Sequence, residues 1–145
     1  MRNNKTIEAL EKTLANSYSL AMKLQNYHWN VEGPSFKALH ELFELQYNEI
    51  FLSVDEVAER IRAMGLKVEG TFENFYKNSD LKPADKNLDA KSMVQDLVKD
   101  YETLVEGLKS FVKTAQEDND EATADMFIAK IQAYEKSAWM LRSSI

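Results

Sequence analysis

Residues that interrupt helices are scarce in this chain. Its 145 residues include four Gly and two Pro, too few turn-forming residues for a fold built from many short strands. Apolar residues make up 44% and charged residues 29% of the sequence, a balance typical of a chain that folds around a hydrophobic core. We therefore expect one all-α domain over residues 1–145, built from a few long helices.

Apolar spacing and turn residues divide the chain into four long helices. The first is predicted over about 4–31 and the second over 34–64, with Gly33-Pro34 between them and Gly65 after the second. Asp89 is a favourable N-cap for a third helix to about residue 116, and a fourth is predicted over 121–142. A short helical turn over 71–77 would place three aromatic rings over the bundle: Phe72, Phe75 and Tyr76. This pattern predicts a four-helix bundle with a short extra helix in the long connection between helices 2 and 3.

Composition excludes several classes of function. The chain has no Cys, which removes disulfides, thiolate metal sites and thiol catalysis and fits a cytoplasmic protein. No segment resembles a signal peptide or a membrane span. The formal charge of −6 argues against nucleic-acid binding, because phosphate contacts need Lys and Arg. The N-terminal arm, residues 1–5, carries only Arg2 and Lys5.

The second predicted helix carries two stripes of residues. The first has the three-and-four spacing of a core-facing helix and consists of Phe36, Leu39, Phe43, Ile50, Val54, Val57, Ile61 and Met64. The second lies roughly 100° round the helix and consists of His40, Glu44, Tyr47, Phe51, Asp55, Ala58, Glu59 and Arg62. A solvated face does not normally carry two aromatic residues among its charges, so the second stripe is expected to be covered.

The second stripe is nearly palindromic about Glu49. His40 mirrors Glu59, and Glu44 mirrors Asp55. Such a stripe suits a two-fold contact in which the helix packs antiparallel against its own copy.

The two histidines of the chain are candidate metal ligands. His28 and His40 flank the Gly33-Pro34 turn, and a helical hairpin there would bring both imidazoles to similar heights. His28 continues the apolar spacing of the first helix, so it should face inward. The alternative is a pair of hydrogen-bonded structural histidines that bind nothing.

Asp55 and Glu59 are four residues apart, so both carboxylates project from one helix face. His40 and Asp55 are separated by about 22 Å along a continuous helix, whereas ligand bonds to a first-row metal are about 2 Å. One chain therefore cannot place both residues on one metal. We predict a shared site, with His28 and His40 from one subunit and Asp55 and Glu59 from its mate.

The ligand set suits Fe(II), although Zn and Mn would also bind such residues. The intrachain di-iron site of helical bundles needs Glu-x-x-His pairs. Gln25 and Lys37 stand three residues before the two histidines, which disfavours an ordinary ferritin.

Three segments of the chain resemble the Dps family (DNA protection during starvation), the miniferritins of the ferritin-like superfamily. They are Asn-Tyr-His-Trp-Asn-Val at 26–31 followed by Gly33-Pro34 and Phe36, Leu-His-Glu-Leu-Phe-Glu at 39–44, and Asp-Glu-Val-Ala-Glu-Arg-Ile-Arg at 55–62 before Gly65. The resemblance extends over essentially the whole chain. It implies a ferritin-like bundle that assembles into a twelve-subunit hollow shell.

The resemblance also implies an activity and places residues in it. Family members oxidise Fe(II), preferably with hydrogen peroxide, at two-fold interfaces, and store the ferric mineral inside the shell as protection against oxidative stress. The match assigns His28, His40, Asp55 and Glu59 to the iron site, with Glu44 as an accessory ligand. Trp29 matches an aromatic residue that intercepts oxidising equivalents, or it is a packed interface residue.

Acidic pores near the start of the last helix admit iron in the family, and Glu121 and Asp125 match them best. Acidic residues are favoured at a helix N-terminus in any case. Many relatives bind DNA through a tail rich in Lys and Arg. The C-terminus here has none, so direct DNA binding is not expected. The alternative function is a shell that compacts DNA and has little ferroxidase activity.

Overall fold

The computed structural model describes residues 4–145, and within them it contains five helices and no strand. They are α1 (Asn4–Asn30), α2 (Phe36–Ala63), α3 (Phe72–Asn78), α4 (Ala90–Glu117) and α5 (Glu121–Arg142). The all-α prediction is confirmed, with four long helices and a short extra helix in the connection between the second and third. The expectation for the N-terminal arm falls largely on residues 1–3, which lie outside the described part.

The helix boundaries follow local backbone chemistry. α2 begins at Phe36, two residues later than predicted, because Gly33 adopts φ = 109° and Pro34 lies in the turn that follows it. Asp89 caps α4 as predicted: its Oδ1 accepts a hydrogen bond of 2.8 Å from the backbone N–H of Ser92. Between α4 and α5 the chain reverses at Asn119, whose φ of 58° lies in the left-handed region that Asn tolerates.

The helices pair as two hairpins. α1 packs against α2 and α4 against α5, while α1 also contacts α4 and the short α3. Each long helix contributes a large, fully buried aromatic side chain to the core, and these are Tyr27, Phe43, Tyr101 and Phe127. The bundle therefore has one continuous core. No helix within residues 4–145 is both long and apolar enough to cross a membrane.

The seam between α2 and α5 is polar. Tyr101 of α4 donates a hydrogen bond of 3.0 Å to Oε1 of Gln46, and Nε2 of Gln46 donates one of 3.1 Å to the carbonyl of Ser137 on α5. Beside these bonds lies a groove of about 480 Å³ lined by residues of α2, α4 and α5, which we call the α2–α5 groove.

Two details of the sequence-based prediction are wrong. Phe36 was assigned to the core stripe but is exposed, because it begins α2 directly after the turn that connects the two helices of the first hairpin. Of the three aromatic residues in the long connection, Phe75 alone is buried, stacked on Tyr18 with ring centroids 4.6 Å apart. Phe72 and Tyr76 are exposed: their spacing could place all three rings on one face of α3, but only the side that carries Phe75 lies against α1.

Candidate metal centre

The turn between α1 and α2 brings the two histidines together. His28 lies near the end of α1 and His40 near the start of α2, and their rings stack with centroids 3.7 Å apart at an interplanar angle of 13°. His28 is buried and His40 is half-buried. The hairpin thus presents both imidazoles at one position.

Reciprocal hydrogen bonds fix the two rings. Nδ1 of His28 lies 2.6 Å from the carbonyl oxygen of His40, and Nδ1 of His40 lies 2.6 Å from the carbonyl oxygen of His28. A carbonyl oxygen can only accept, so both Nδ1 atoms donate. In the neutral rings the lone pair is therefore on Nε2 of each histidine. This is the arrangement that metal-binding histidines use, with one nitrogen anchored and the other available.

Polar and aromatic groups surround the pair. Oε1 of Glu44 lies 3.6 Å from Nε2 of His28, which places a carboxylate beside the available nitrogen. Tyr47 meets the ring of His28 edge-on at 5.5 Å, and Phe36 stacks on His40 at 4.9 Å. Trp29 follows His28 directly and is 62% exposed.

Asp55 and Glu59 form a second cluster on the exposed face of α2. The pKa of Glu59 is raised, because its protonated carboxyl group can donate a hydrogen bond to the Asp55 carboxylate and because the negative charge of Asp55 disfavours a second charge beside it. Two carboxylates this close repel each other, and either a shared proton or a bound cation relieves that repulsion. The pair therefore has the chemistry of a cation ligand.

The histidine pair and the carboxylate pair are far apart within one chain. α2 is continuous from Phe36 to Ala63, so the 15 residues from His40 to Asp55 correspond to about 22 Å. No group of three or more His, Cys, Asp or Glu side chains in the described part of the chain could hold a metal ion. The described part of a single chain therefore brings no more than two of these candidate ligands together at each position.

Asp55 borders a large apolar groove between α2 and α3. The groove has a volume of about 760 Å³. It is lined by Leu14, Tyr18, Phe51, Val54, Asp55, Ala58, Val68, Gly70, Thr71, Phe72 and Phe75. Phe51 and Phe72 are exposed in the isolated chain. A second protein chain bound in this groove would cover apolar surface and contact Asp55.

The acidic residues near the start of α5 divide into two kinds. Asp120 is occupied: it accepts hydrogen bonds from Thr123 and pairs with Arg60 at 2.8 Å. Asp118 accepts a hydrogen bond from Thr6. Glu121 and Asp125 are exposed on the first turns of α5.

Sequence reasoning missed a buried polar cluster beside the histidines. Nζ of Lys23 lies 2.9 Å from Asp96 and 2.6 Å from Asp100, and the hydroxyl of Tyr27 donates a bond of 2.6 Å to Asp96. Burial raises the pKa of Asp100 and outweighs the opposing effect of Lys23. The cluster links α1 to α4 at Tyr27, the residue directly before His28. The spacing of four residues within each helix was a signal, but it does not show which helices face each other.

Comparisons with known proteins agree with this architecture. The model of the ferritin-like domain family matches residues 7–145. The chain is 40% identical over 141 residues to DNA protection during starvation protein 2 of Bacillus anthracis, and the aligned region covers 97% of each chain. Its structure is similar to that of Dps from Staphylococcus aureus, with a TM-score of 0.94 and 35% identity, covering 99% of this chain and 97% of that one. It is also similar to a Dps protein from Vibrio cholerae O1, described as a member of a superfamily of ferritin-like diiron-carboxylate proteins, with a TM-score of 0.91, 32% identity, and coverage of 97% and 88%.

Proposed function

The chain belongs to the Dps family of ferritin-like proteins, and from that membership we propose that it is an iron-storage protein that oxidises Fe(II) at a site shared between two subunits. His28 and His40 of one subunit and Asp55 and Glu59 of the other bind the substrate ion, with Glu44 as an accessory ligand. The observation that carries this proposal is the reciprocally hydrogen-bonded histidine pair, which is organised for metal binding before any metal arrives.

The side chains determine what happens to the substrate. Because each Nδ1 atom is held by a carbonyl oxygen, Nε2 of each ring is the nitrogen left to bind Fe(II), and the tautomer that this binding needs is already set. Carboxylate oxygens favour the harder Fe(III) product, and the small number of protein ligands leaves positions for an oxidant. With hydrogen peroxide, two Fe(II) give up one electron each, and the peroxide with two protons leaves as two water molecules. Pairing the electrons in this way avoids release of hydroxyl radical.

Association of two copies is supported by the surface of α2. Most of the second stripe is exposed in the isolated chain, namely Glu44, Phe51, Asp55, Glu59 and Arg62, and so are two apolar neighbours, Leu45 and Leu52. An antiparallel copy of α2 would cover this surface and bring the His40 end of one helix to the Asp55 end of the other. We further propose that six such pairs build a twelve-subunit shell that stores the ferric product.

Co-assembly of variants tests the shared site. One variant carries His28→Ala and His40→Ala, and the other carries Asp55→Asn and Glu59→Gln. Each alone should oxidise Fe(II) with peroxide at the background rate. Random mixing at equal amounts should restore about one quarter of the wild-type rate, because half of the pairs are mixed and each mixed pair has one intact site of two.

A second mixture makes the result decisive. Wild type mixed with the variant carrying all four substitutions should retain about one quarter of the rate if the site is shared and about one half if it lies within one chain. Size-exclusion chromatography checks that every mixture assembles. No recovery in the first mixture together with one half in the second would refute the proposal.

Two finer assignments rest on exposure. We assign Glu121 and Asp125 to the entrance for Fe(II), where their carboxylates concentrate the cation. Trp29 is assigned to the interception of oxidising equivalents, since it follows His28 and is exposed beside the half-site. Charge reversal at Glu121 and Asp125 should slow mineral formation at low Fe(II) concentration more than at high concentration.

The alternative function, a shell that compacts DNA, is suggested by the name of the Bacillus anthracis relative. The charge of −6 opposes it, because a surface that binds phosphates needs an excess of cations. A gel shift at low and moderate salt separates the two functions. Strong binding without added metal would favour compaction.

A further inference from the structure

Lys130 of α5 is a buried lysine that faces the α2–α5 groove. Its residue is 7% exposed, and Nζ donates a hydrogen bond of 3.0 Å to Oγ of Ser53 on α2. Ser53 in turn donates to the carbonyl of Ile50, so its hydroxyl is oriented to accept from the amine. The amine also lies 5.9 Å from the ring centroid of Tyr134.

The charge of Lys130 is not neutralised by a contact. Among residues 4–145 no carboxylate oxygen lies within ion-pair distance of its Nζ, and Ser53 accounts for only one of its three potential donors. Lys23 is equally buried but lies between two carboxylates, Asp96 and Asp100. The chain thus contains two buried lysines, one paired and one unpaired.

The groove around Lys130 combines apolar walls with an acidic rim. Ile50, Met126, Ala129 and Ala133 supply apolar surface. The titratable groups that face it are Glu49 and Glu56 from α2, Tyr101 from α4, and Asp125 and Tyr134 from α5. Burial lowers the pKa of Lys130 to about 8, against a smaller opposite effect of Glu56. The amine is therefore available as a neutral nucleophile at lower pH than an ordinary lysine.

We propose that Lys130 is a reactive amine that condenses reversibly with a small, uncharged aldehyde held in the α2–α5 groove. The lone pair of Nζ forms a bond to the carbonyl carbon, and the carbonyl oxygen, with the two hydrogens of the amine, leaves as water. The product is an imine, with a carbon–nitrogen double bond and no change in oxidation state. The reaction is independent of iron and of the shared site.

The environment selects the class of aldehyde. The ammonium ion first gives up a proton to solvent, and the neutral amine then forms the neutral imine; this removes an unpaired charge from a buried position, so burial favours the product. The carboxylates at the rim repel an aldehyde that carries a negative charge. A volume of about 480 Å³ is within the usual range for a small-molecule site.

Reductive labelling of the assembled wild-type protein tests the proposal. The protein is treated briefly at pH 7 with benzaldehyde and cyanoborohydride, and the modified lysines are identified by peptide mass spectrometry. The initial rate at Lys130 should exceed that at exposed Lys109 and buried, paired Lys23 by at least about tenfold, because an amine with a lowered pKa is more often neutral at this pH. Labelling of the unfolded chain should remove the difference.

A charged probe and a variant complete the experiment. 4-Formylbenzoate should modify Lys130 severalfold more slowly than benzaldehyde does, with little difference between the probes at Lys109. Lys130→Arg should lose the fast phase and leave the other lysines unchanged. Modification that follows exposure and spares Lys130, or equal rates for both probes at Lys130, would overturn the proposal.

Discussion

The contact between α2 and the start of α5 depends on one carboxylate with two roles. Asp120 is the N-cap of α5, and its Oδ1 accepts from the backbone N–H of Thr123 at 3.1 Å. The same oxygen accepts from Nη2 of Arg60 on α2 at 2.8 Å, while Nε of Arg60 donates to the hydroxyl of Thr123 at 2.9 Å. Replacing Asp120 should therefore loosen the first two turns of α5, which carry Glu121 and Asp125.

Two substitutions separate the roles. Asp120→Ala removes the cap, about 1 kcal/mol, and the half-buried ion pair, a further 1–2 kcal/mol or so. Asp120→Asn keeps an equivalent cap acceptor but loses the charge that faces Arg60 and the second oxygen, which accepts from the hydroxyl of Thr123. We expect local opening to become easier by about 2–3 kcal/mol in the Ala variant and by about 1–2 kcal/mol in the Asn variant.

Hydrogen exchange reports this opening directly. Amides of residues 121–127 should lose protection by about 30- to 100-fold in Asp120→Ala and by about 5- to 30-fold in Asp120→Asn, since 1.4 kcal/mol is a factor of ten. Amides in the middle of α1 serve as an internal control and should be unchanged. Equal protection in wild type and both variants would refute the argument that this carboxylate holds the start of α5.

Three further predictions concern pH, the polar seam and the first turn. Burial alone raises the pKa of Asp120, but hydrogen bonds from Thr123 and the charge of Arg60 lower it overall. The stability advantage of wild type over Asp120→Asn should therefore be complete above about pH 4 and vanish as pH falls through the lowered pKa. Chemical denaturation across this pH range measures that advantage. Tyr101→Phe leaves Gln46 without its donor and should cost about 1–2 kcal/mol in the same assay, whereas no loss would mean that the bond to Gln46 contributes nothing. Gly33→Ala forces a side chain into φ = 109° and should cost about 1–3 kcal/mol, with weaker metal binding by the histidines; an unchanged variant would show that the turn does not hold their geometry.

Much of the fold could be predicted because helix signals are local. Asp89 caps the helix that its side chain suggested, and α4 and α5 lie within one residue of their predicted bounds. The burial of Phe36 could not be predicted, because it depends on where α2 begins after the turn, and apolar spacing does not show that position. The predicted burial of Phe72 and Tyr76 is wrong for a related reason. The sequence shows that these rings are present, but not which side of α3 packs against the bundle.

The candidate site was partly determined by the sequence. His28 and His40 flank a turn that had to form, and a rigid helix separates His40 from Asp55 whatever the rest of the fold does. The sequence therefore predicts two candidate half-sites and shows that one chain cannot join them. It did not show the exchanged hydrogen bonds between Nδ1 atoms and carbonyl oxygens, because these depend on the distance between two helix ends.

The remaining features arise only when the helices pack. Lys23 and Lys130 are both lysines on amphipathic helices, and nothing local distinguishes them. Packing places Lys23 between Asp96 and Asp100, and it leaves Lys130 facing Ser53 without a counter-ion. Periodicity along one chain fixes which face of a helix is buried, but the partner of a buried charge comes from another helix. The tertiary structure alone decided which of these two lysines keeps an unpaired amine.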